Sequence, residues 1–341
     1  EIRGKDIITT IQNSGKMSTK KRVAAPGVSL GLPPISEQDA KDIIFGCEQD
    51  LDFVAASFIQ RPEDVLAIRK LIEEHNGHME IMPKIENLEG VKNFDAILEV
   101  SDGIMVARGD LGVEVPAEDV PLIQKEIIRK CNKAGKPVIV ATQMLDSMER
   151  NPRPTRAEVS DVGNAILDGT DAIMLSGETA SGDYPVEAVS TMNRIACRIE
   201  ESLEYKDLFV ERGFEHSQSR TRAVAHATVQ MAYELDVPAI ITPTDSGYTT
   251  KIVSRYRPKA AIVAYTPHEK VVRQLNLRWG VYPILGTQWK DVDEMIANAV
   301  SASVKDGFVK RGDTTIITSG IKLQSKTSVG NNTNMIRVYK I

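Results

Sequence analysis

Several patterns that would assign this chain to a familiar class of protein are missing from it. Its three cysteines, Cys47, Cys131 and Cys197, lie far apart and form no C-x-x-C pair, which argues against a disulfide framework and against a zinc site. No apolar run approaches the roughly 20 residues that span a bilayer, and the first residues lack the charged-then-apolar pattern of a signal peptide. We therefore expect a protein of the reducing cytoplasm with no membrane partner.

A long basic segment is also missing. The net charge is -5, and the one basic cluster, residues 16–22, is short. Because a surface that binds nucleic-acid phosphates needs many clustered Lys and Arg side chains, we expect no nucleic-acid partner. What remains is a globular composition with 42% hydrophobic and 26% charged residues over 341 positions, a length that predicts more than one domain.

Apolar runs alternate with amphipathic segments in the first part of the chain. They recur roughly every two to three dozen residues, which is the spacing of βαβ units, and lie at 53–56, 81–84, 103–107, 138–141 and 172–175. One helical pattern between the second and third runs places four apolar side chains on one face: Val91, Phe94, Ile97 and Leu98. The rhythm predicts a parallel sheet with right-handed crossovers.

Polar residues follow each predicted strand. They are Ser57, Lys84 with Glu86, Arg108 to Asp110, Thr142 with Gln143, and Ser176 to Glu178. In a (β/α)8 barrel all such strand ends form one catalytic face, whereas an open doubly wound sheet concentrates its chemistry at one switch point. The succession of polar ends favours an α/β fold of the TIM-barrel type, with about five of its eight βα units in this chain.

A second α/β region begins near residue 207. Strands are predicted at 239–242, 261–265, 282–285, 314–318 and 335–339, with helices between them. Its most suggestive loop, residues 242–250 with the sequence TPTDSGYTT, joins a strand to a helix. Hydroxyls and backbone amides at a helix N-terminus favour phosphate, although a solvated turn is the alternative.

Two carboxylates, Glu86 and Asp110, follow neighbouring predicted strands. Paired carboxylates suit Mg²⁺ or Mn²⁺ and leave coordination positions for substrate oxygens; the alternative is that each caps the next helix. Lys84 lies two residues before Glu86, so both side chains leave the same face of the strand. A plain Lys–Glu ion pair and the neutralisation of a phosphoryl group in transfer are both compatible with that spacing.

Further candidates surround this pair. The amides of Gly109 and Asp110, at a strand-to-helix turn, could hold a substrate carboxylate. Thr142 could donate to the same substrate or cap the following turn. The segment from Ser176 to Thr179 is equally a helix-capping turn or a substrate contact.

With these residues in place, the chain resembles the pyruvate kinase family. The likeness is carried in order and spacing by PKIENLEG, IMVARGDLGVE, VIVATQMLDSM and NPRPTRAEVSDVGNAILDGTDAIMLSGETASGDYPVEAV, and it extends from about residue 25 onwards. It implies a TIM-barrel catalytic domain and a C-terminal α/β domain with a mixed sheet. It also implies transfer of the phosphoryl group of phosphoenolpyruvate to ADP, giving pyruvate and ATP, the last step of glycolysis.

The resemblance further implies roles for individual residues. Glu86 and Asp110 would be metal ligands, Lys84 and Thr142 catalytic, and the substrate contacts would be Arg108, Gly109, Asp110, Thr142 and Ser176. Three residues match positions near the nucleotide phosphates: Arg3, Lys20 and Lys21. Six match the site of a sugar-phosphate activator: Thr244, Ser246, Gly247, Thr249, Asn331 and Asn334. A homotetramer is expected by the same analogy.

The same likeness predicts the domain division. Residues 1–3 would end a barrel strand, 4–26 would be the remnant of a cap domain, 27–206 the barrel and 207–341 the regulatory domain. Most of the cap and the strands before it would lie outside the printed chain, together with the ligands of an expected K⁺. We expect these segments to be present in the protein beyond the given sequence rather than deleted from it, because a barrel of five strands would leave open edges.

Two other functions fit part of these patterns. A metal-dependent aldolase or lyase acting on a 2-oxo acid would use the same carboxylates for enolate chemistry, but it would not require ADP. A catalytically silent sugar-phosphate sensor would bind the effector without turnover.

Overall fold

The structure is a computed structural model that describes residues 1–15, 19, 26, 33–213, 219–321 and 332–341. At its start, β1 (Ile2–Arg3) pairs antiparallel with β2 (Asp6–Ile7) in a two-stranded sheet of their own. Within the described ranges, no helix combines the length and the apolar character that crossing a membrane requires. The predicted domain boundaries stay a prediction.

Five parallel strands form the sheet of the first part, side by side in chain order: β3 (Phe53–Ala56), β4 (Glu80–Ile85), β5 (Ile104–Ala107), β6 (Val138–Ala141) and β7 (Ala172–Met174). A doubly wound sheet reverses its strand order at a switch point, whereas successive barrel strands pair in sequence. The predicted parallel α/β sheet is therefore confirmed, with strand ends within two residues of those predicted.

Helices connect these strands, and their apolar faces share one hydrophobic cluster with the sheet. They are α1 (Glu37–Glu48), α2 (Pro62–Glu74), α3 (Leu88–Lys92), α4 (Phe94–Val100), α5 (Arg108–Glu114), α6 (Val120–Ala134), α7 (Arg156–Leu167), α8 (Gly177–Ala180) and α9 (Pro185–Glu200). Short 3-10 helices occur at Ala117–Asp119 and Asp146–Glu149. The Ser36 hydroxyl caps α1 by accepting from the amide of Asp39, which closes a capping box.

The single helix predicted between β4 and β5 was wrong. The segment forms two helices, α3 and α4, which meet at Asn93, where the backbone adopts φ -94° and ψ 11°. The Asn93 side chain donates to the carbonyl of Gln60 at 2.9 Å. The apolar face continues across the break, since Phe94, Ile97 and Leu98 are all buried, so periodicity alone does not reveal it.

A second five-stranded sheet forms the C-terminal part, in the order β10-β9-β8-β11-β12. Its strands are β8 (Ala239–Pro243), β9 (Ala261–Thr266), β10 (Val281–Leu285), β11 (Thr314–Ser319) and β12 (Met335–Lys340). Only the pair of β11 with β12 is antiparallel, so the predicted mixed sheet is confirmed. Its helices are α10 (Tyr205–Gly213), α11 (Arg220–Glu234), α12 (Tyr248–Ser254), α13 (Glu269–Leu275) and α14 (Val292–Lys305).

Candidate active site

The carboxyl ends of four parallel strands lie next to one another. In the registers, Ile85 of β4 is opposite Val106 of β5, Ala107 is opposite Ala141 of β6, and Ala141 is opposite Met174 of β7. The chain therefore delivers the residues after each strand to the same edge of the sheet. This edge is where the sequence predicts the catalytic face.

Glu86 is entirely buried at this edge. Its Oε2 accepts from the backbone amide of Phe58 at 2.6 Å, which ties the end of β4 to the residues after β3. The cap of α3 comes instead from Asn87, whose side chain accepts from the amide of Gly90 at 2.7 Å. The helix-capping interpretation of Glu86 is therefore wrong, and its carboxylate is available for other chemistry.

Lys84 forms the ion pair that its spacing from Glu86 allows. Its Nζ lies 2.6 Å from Glu86 Oε1 and donates to the hydroxyl of Ser57 at 2.8 Å. The lysine side chain keeps 23% of its surface exposed. The ammonium is thus held by two groups, and the side chain remains partly exposed at this edge of the sheet.

The donors at this edge fit a magnesium-type ion. Although Glu86 Oε1 lies within ion-pair distance of Lys84, it has no properly directed hydrogen bond within the described chain. The second carboxylate, Asp110, is exposed in the first turn of α5. No cluster of three or more His, Cys, Asp or Glu side chains with metal-binding geometry occurs among the described residues. Two carboxylates that leave positions for substrate oxygens suit Mg²⁺ or Mn²⁺ better than structural zinc.

Thr142 contacts the start of α5 from the end of β6. Its Oγ1 accepts from the amide of Gly109 at 2.7 Å and donates to the carbonyl of Ala141 at 2.6 Å. Thr142 has φ 73° and Gln143 has φ 53°. A β-branched residue in the left-handed region is a genuine outlier that costs about 1–3 kcal/mol and is typical of functional sites. The amide predicted to hold a substrate carboxylate is therefore bonded to Thr142 in this structure.

Arg108 binds protein groups. Its guanidinium lies 2.6 Å from Asp161 on α7 and donates to the carbonyl of Thr142 at 2.7 Å and to the sulfur of Met144 at 2.9 Å. Only 10% of the side chain is exposed. Arg108 thus positions the loop after β6.

Glu178 holds the ends of β6 and β7 together. The buried carboxylate accepts from the amide of Leu145 at 3.0 Å and from the amide of Ser176 at 2.7 Å. Ser176 is the N-cap residue of α8, but its hydroxyl makes no cap hydrogen bond.

Asp161 was not predicted to belong to this edge, whereas Ser57 and Glu178 were predicted to lie there but were given no individual role. The position of Ser57 directly after β3 was the available signal, and Glu178 lies in the S-G-E sequence after β7. Nothing in the sequence around Asp161 indicates its partner.

The predicted effector residues lie in the C-terminal α/β part of the chain. The Thr244 hydroxyl accepts from the amide of Gly247 at 2.9 Å, and Gly247 has φ 77° at the start of α12. The hydroxyls of Thr249 and Thr333 lie 2.8 Å apart. The start of α12 and the segment before β12 therefore meet, and the effector role of these residues stays a prediction.

Asn334 lies at the same end of the sheet. Its side chain forms two hydrogen bonds with the backbone of Ile321, at 2.8 and 2.9 Å. His268 Nε2 lies 2.7 Å from Asp245, a contact that the sequence does not indicate.

Of the three predicted nucleotide residues, Arg3 is the one that the structure describes. Arg3 is exposed in the β1–β2 hairpin and pairs with Glu1 at 3.0 Å. Lys20 and Lys21 lie outside the described residues, as does Asn331 of the effector site. Their roles stay predictions.

Comparison with known proteins gives a consistent result. The family model described as pyruvate kinase, barrel domain, matches residues 1–189, and that described as pyruvate kinase, alpha/beta domain, matches residues 222–339. Relatives named pyruvate kinase are 57% identical over 338 residues in Bacillus licheniformis, 55% over 337 in Geobacillus stearothermophilus and 52% over 341 in Clostridium acetobutylicum.

These three alignments cover 99%, 98% and 100% of this chain. They cover 57%, 57% and 71% of the respective relatives. The chain therefore spans little more than half the length of the first two.

Proposed function

The chain belongs to the pyruvate kinase family, and from that premise we propose that the protein transfers the phosphoryl group of phosphoenolpyruvate to ADP, giving pyruvate and ATP. The observation that carries the proposal is the pair at the end of β4, a fully buried Glu86 carboxylate beside the partly exposed ammonium of Lys84. Phosphoryl transfer needs positioning and charge more than covalent help from the protein. This edge offers both.

Glu86 and Asp110 are the proposed ligands of the divalent ion. When bound there, Mg²⁺ or Mn²⁺ would supply the positive charge that anchors the carboxylate and phosphate oxygens of the substrate. The hydrogen bond from Phe58 to Glu86 Oε2 supports this assignment because it fixes the carboxylate and leaves Oε1 free of directed hydrogen bonds. The proposed cation is one that prefers oxygen ligands, because both proposed donors are carboxylates.

Lys84 is the proposed electrostatic catalyst. A fixed ammonium at this edge of the sheet stabilises the negative charge on the transferring phosphoryl group and on the enolate that remains. Its hydrogen bond to Ser57 and its ion pair with Glu86 hold the side chain in place before substrate arrives. Such preorganisation avoids a cost of reorientation during the reaction.

Thr142 lies beside the proposed position of the enolate, which is protonated there. Gly109, Asp110 and Ser176 are the remaining proposed substrate contacts. Because the Gly109 amide is bonded to Thr142, substrate binding at that amide would exchange one hydrogen bond for another. Arg108 is also a proposed substrate contact, and its hydrogen bond to the Thr142 carbonyl would position the loop after β6 beside the substrate.

The remaining partners are part of the same proposal. Arg3, Lys20 and Lys21 would bind the phosphates of ADP. K⁺ would add a second cation to the active site. A sugar phosphate would activate the enzyme at the loop of Thr244, Ser246, Gly247 and Thr249, with Asn331 and Asn334 as its second wall; the 2.8 Å contact between Thr249 and Thr333 supports a joint site. The proposed assembly is a cytoplasmic homotetramer.

A pyruvate assay tests the proposal. The full-length protein and this 341-residue chain are incubated with phosphoenolpyruvate, Mg²⁺ and K⁺, with and without ADP. We expect pyruvate from the full-length protein only when ADP is present. Pyruvate formation without ADP would indicate an aldolase or lyase type of enolate chemistry, and effector binding without any turnover would indicate a sensor; either outcome contradicts the proposal.

A further inference from the structure

Two consecutive residues after β6 have left-handed backbone conformations. Thr142 has φ 73° and Gln143 has φ 53°, and both carry side chains that disfavour this region. Such residues stay there only when the surrounding structure holds them. Because Thr142 is a proposed catalytic residue, the groups that hold this turn bear on the chemistry at the strand edge.

The start of α5 binds this turn through Arg108 and Gly109. The Nη2 of Arg108 donates to the carbonyl of Thr142 at 2.7 Å and, at a longer 3.4 Å, to the carbonyl of Gln143. The amide of Gly109 donates to the Thr142 hydroxyl at 2.7 Å. Thr142 is therefore held both at its backbone and at its side chain, and the backbone contact depends on where the guanidinium lies.

Asp161, in the second turn of α7, fixes the guanidinium. Its Oδ1 lies 2.6 Å from Nη1 of Arg108. Nη1 also lies 3.4 Å from the side-chain oxygen of the buried Gln124, which is a longer contact with a neutral group. The guanidinium is a rigid plane, so a carboxylate that holds Nη1 also sets the direction of Nη2. Asp161 thus acts on the turn without contacting it.

Burial makes the carboxylate important to Arg108. The arginine side chain is 10% exposed, and its Nε has no hydrogen-bond partner within the described ranges of the chain. Water therefore compensates little of its charge, and a cation in such surroundings is costly without a counter-charge. Asp161 is 35% exposed and supplies that charge from α7.

A second arginine–aspartate pair under the same sheet provides a comparison. Arg69 and Asp102 lie 2.9 Å apart and are about one third exposed, and Arg69 also donates to the carbonyl of Val100. Asp102 lies just before β5, at the amino end of the strand. This pair holds a loop remote from the candidate active site, so it reports what such a contact contributes to stability alone.

We propose that Asp161 is a positioning residue that acts through Arg108 to hold Thr142 in its left-handed conformation. This role rests on the proposed function, in which Thr142 lies beside the enolate. Without the carboxylate the guanidinium is free to turn, the Thr142 carbonyl loses its donor, and the turn relaxes towards ordinary dihedral angles. A displacement of about 1 Å at a reacting group can reduce the rate by about 100-fold.

Steady-state kinetics of the full-length protein tests this role. We expect Asp161→Asn to lower kcat by about 10- to 100-fold and to leave the KM for ADP unchanged, because ADP does not contact this turn in the proposed function. Asp161→Glu, which keeps the charge, should recover most of the loss. Asp102→Asn is the matched control and should retain the wild-type kcat. If Asp161→Asn does not fold, as judged by circular dichroism, Asp161→Ser removes the same charge.

A double-mutant cycle tests whether the effect passes through Arg108. We expect Asp161→Asn to lower kcat no further in a protein that already carries Arg108→Met, since the intermediary is then absent. Losses that multiply would show that Asp161 acts by another route. A wild-type kcat in the Asp161 variants, or an equal loss in Asp102→Asn, would also overturn the proposal.

Hydrogen exchange at the amide of Gly109 reads the same positioning without turnover. This amide is bonded to Thr142, so we expect it to exchange about tenfold faster or more in Asp161→Asn, but not in Asp102→Asn, when the full-length proteins are compared by mass spectrometry. If the wild type makes no pyruvate, the proposed function fails and the exchange still decides whether Asp161 holds the turn. Unchanged exchange in Asp161→Asn would overturn the proposal even where the wild type is active.

Discussion

The ammonium of Lys84 lies 2.6 Å from one oxygen of the Glu86 carboxylate, and that carboxylate is entirely buried. The two residues are separated by one position on the same strand end, so the strand itself fixes their distance. Burying a carboxylate is costly unless it is paired or hydrogen-bonded, and Lys84 provides the pairing here. The ion pair and the catalytic role are therefore not exclusive, because the pair holds both groups where substrate and metal would bind.

Replacing Lys84 with methionine tests its electrostatic role. We expect Lys84→Met to lower kcat of the full-length enzyme by about 100- to 1,000-fold, which is the typical cost of removing one preorganised charge stabiliser. Steady-state kinetics with phosphoenolpyruvate measures the effect, and urea unfolding shows how much of it reflects the Glu86 charge left unpaired. Lys70→Met, which removes an exposed lysine paired with Glu74, is the control. A wild-type kcat in Lys84→Met would contradict the role.

Asp110 provides the test of the metal site. We expect Asp110→Asn to raise the Mg²⁺ concentration needed for half-maximal activity by about tenfold or more, because a neutral amide binds a hard cation less well than a carboxylate. Titrating Mg²⁺ at fixed substrate concentrations measures the change. Glu114→Gln removes the same charge from the same helix, α5, and should leave the Mg²⁺ requirement as it is. Equal requirements in Asp110→Asn and wild type would exclude Asp110 as a ligand.

The sheet of the first part could be predicted from the sequence because each strand is an apolar run followed by polar residues. The break at Asn93 could not, since the apolar face of α3 and α4 continues through it. The conformation of Thr142 could not either, because a β-branched residue is the last type expected at φ 73°. Likewise, the contact of Arg108 with Asp161 joins residues 53 positions apart. That contact depends on tertiary packing, which the local sequence around either residue does not indicate.

Thr142 offers a test that separates its hydroxyl from its shape. Thr142→Val keeps the branched side chain but removes the acceptor of the Gly109 amide. We expect a loss of about 1–3 kcal/mol in the free energy of unfolding, the usual cost of leaving one partly buried donor unpaired, together with lower activity. Urea denaturation and the pyruvate assay measure the two effects.

Thr142→Ser is the matched variant, because it retains Oγ. We expect it to recover most of the stability and activity that Thr142→Val loses. If Thr142→Val keeps wild-type stability and activity while Thr142→Ser loses them, the branched side chain rather than the hydroxyl is the important feature, and the proposed role of the Thr142–Gly109 hydrogen bond is wrong.

The pair of Asp171 with Arg257 predicts a stability effect at the junction of the two parts. Both side chains are almost completely buried, at 4% and 3% exposure, and Asp171 also accepts from the amides of Val138 and Trp279. Asp171→Asn leaves the arginine without its counter-charge, so we expect the free energy of unfolding at neutral pH to fall by about 3–5 kcal/mol. Asp95→Asn, which affects an exposed pair with Lys130, should cost about 0–1 kcal/mol.

The pH dependence of the same variant shows whether the pair is ionic. Burial by itself would raise the pKa of Asp171, but Arg257 outweighs it, and the pKa lies below its ordinary value of 3.8. A carboxylate with a lowered folded-state pKa stabilises the protein fully above the unfolded-state pKa, and this contribution is lost as the pH falls through the folded-state value. The stability difference between wild type and Asp171→Asn should therefore be constant near neutrality and narrow below about pH 4. Urea unfolding of both proteins along a pH series measures it, and a difference that stays unchanged into strong acid would mean that Asp171 does not contribute through its charge.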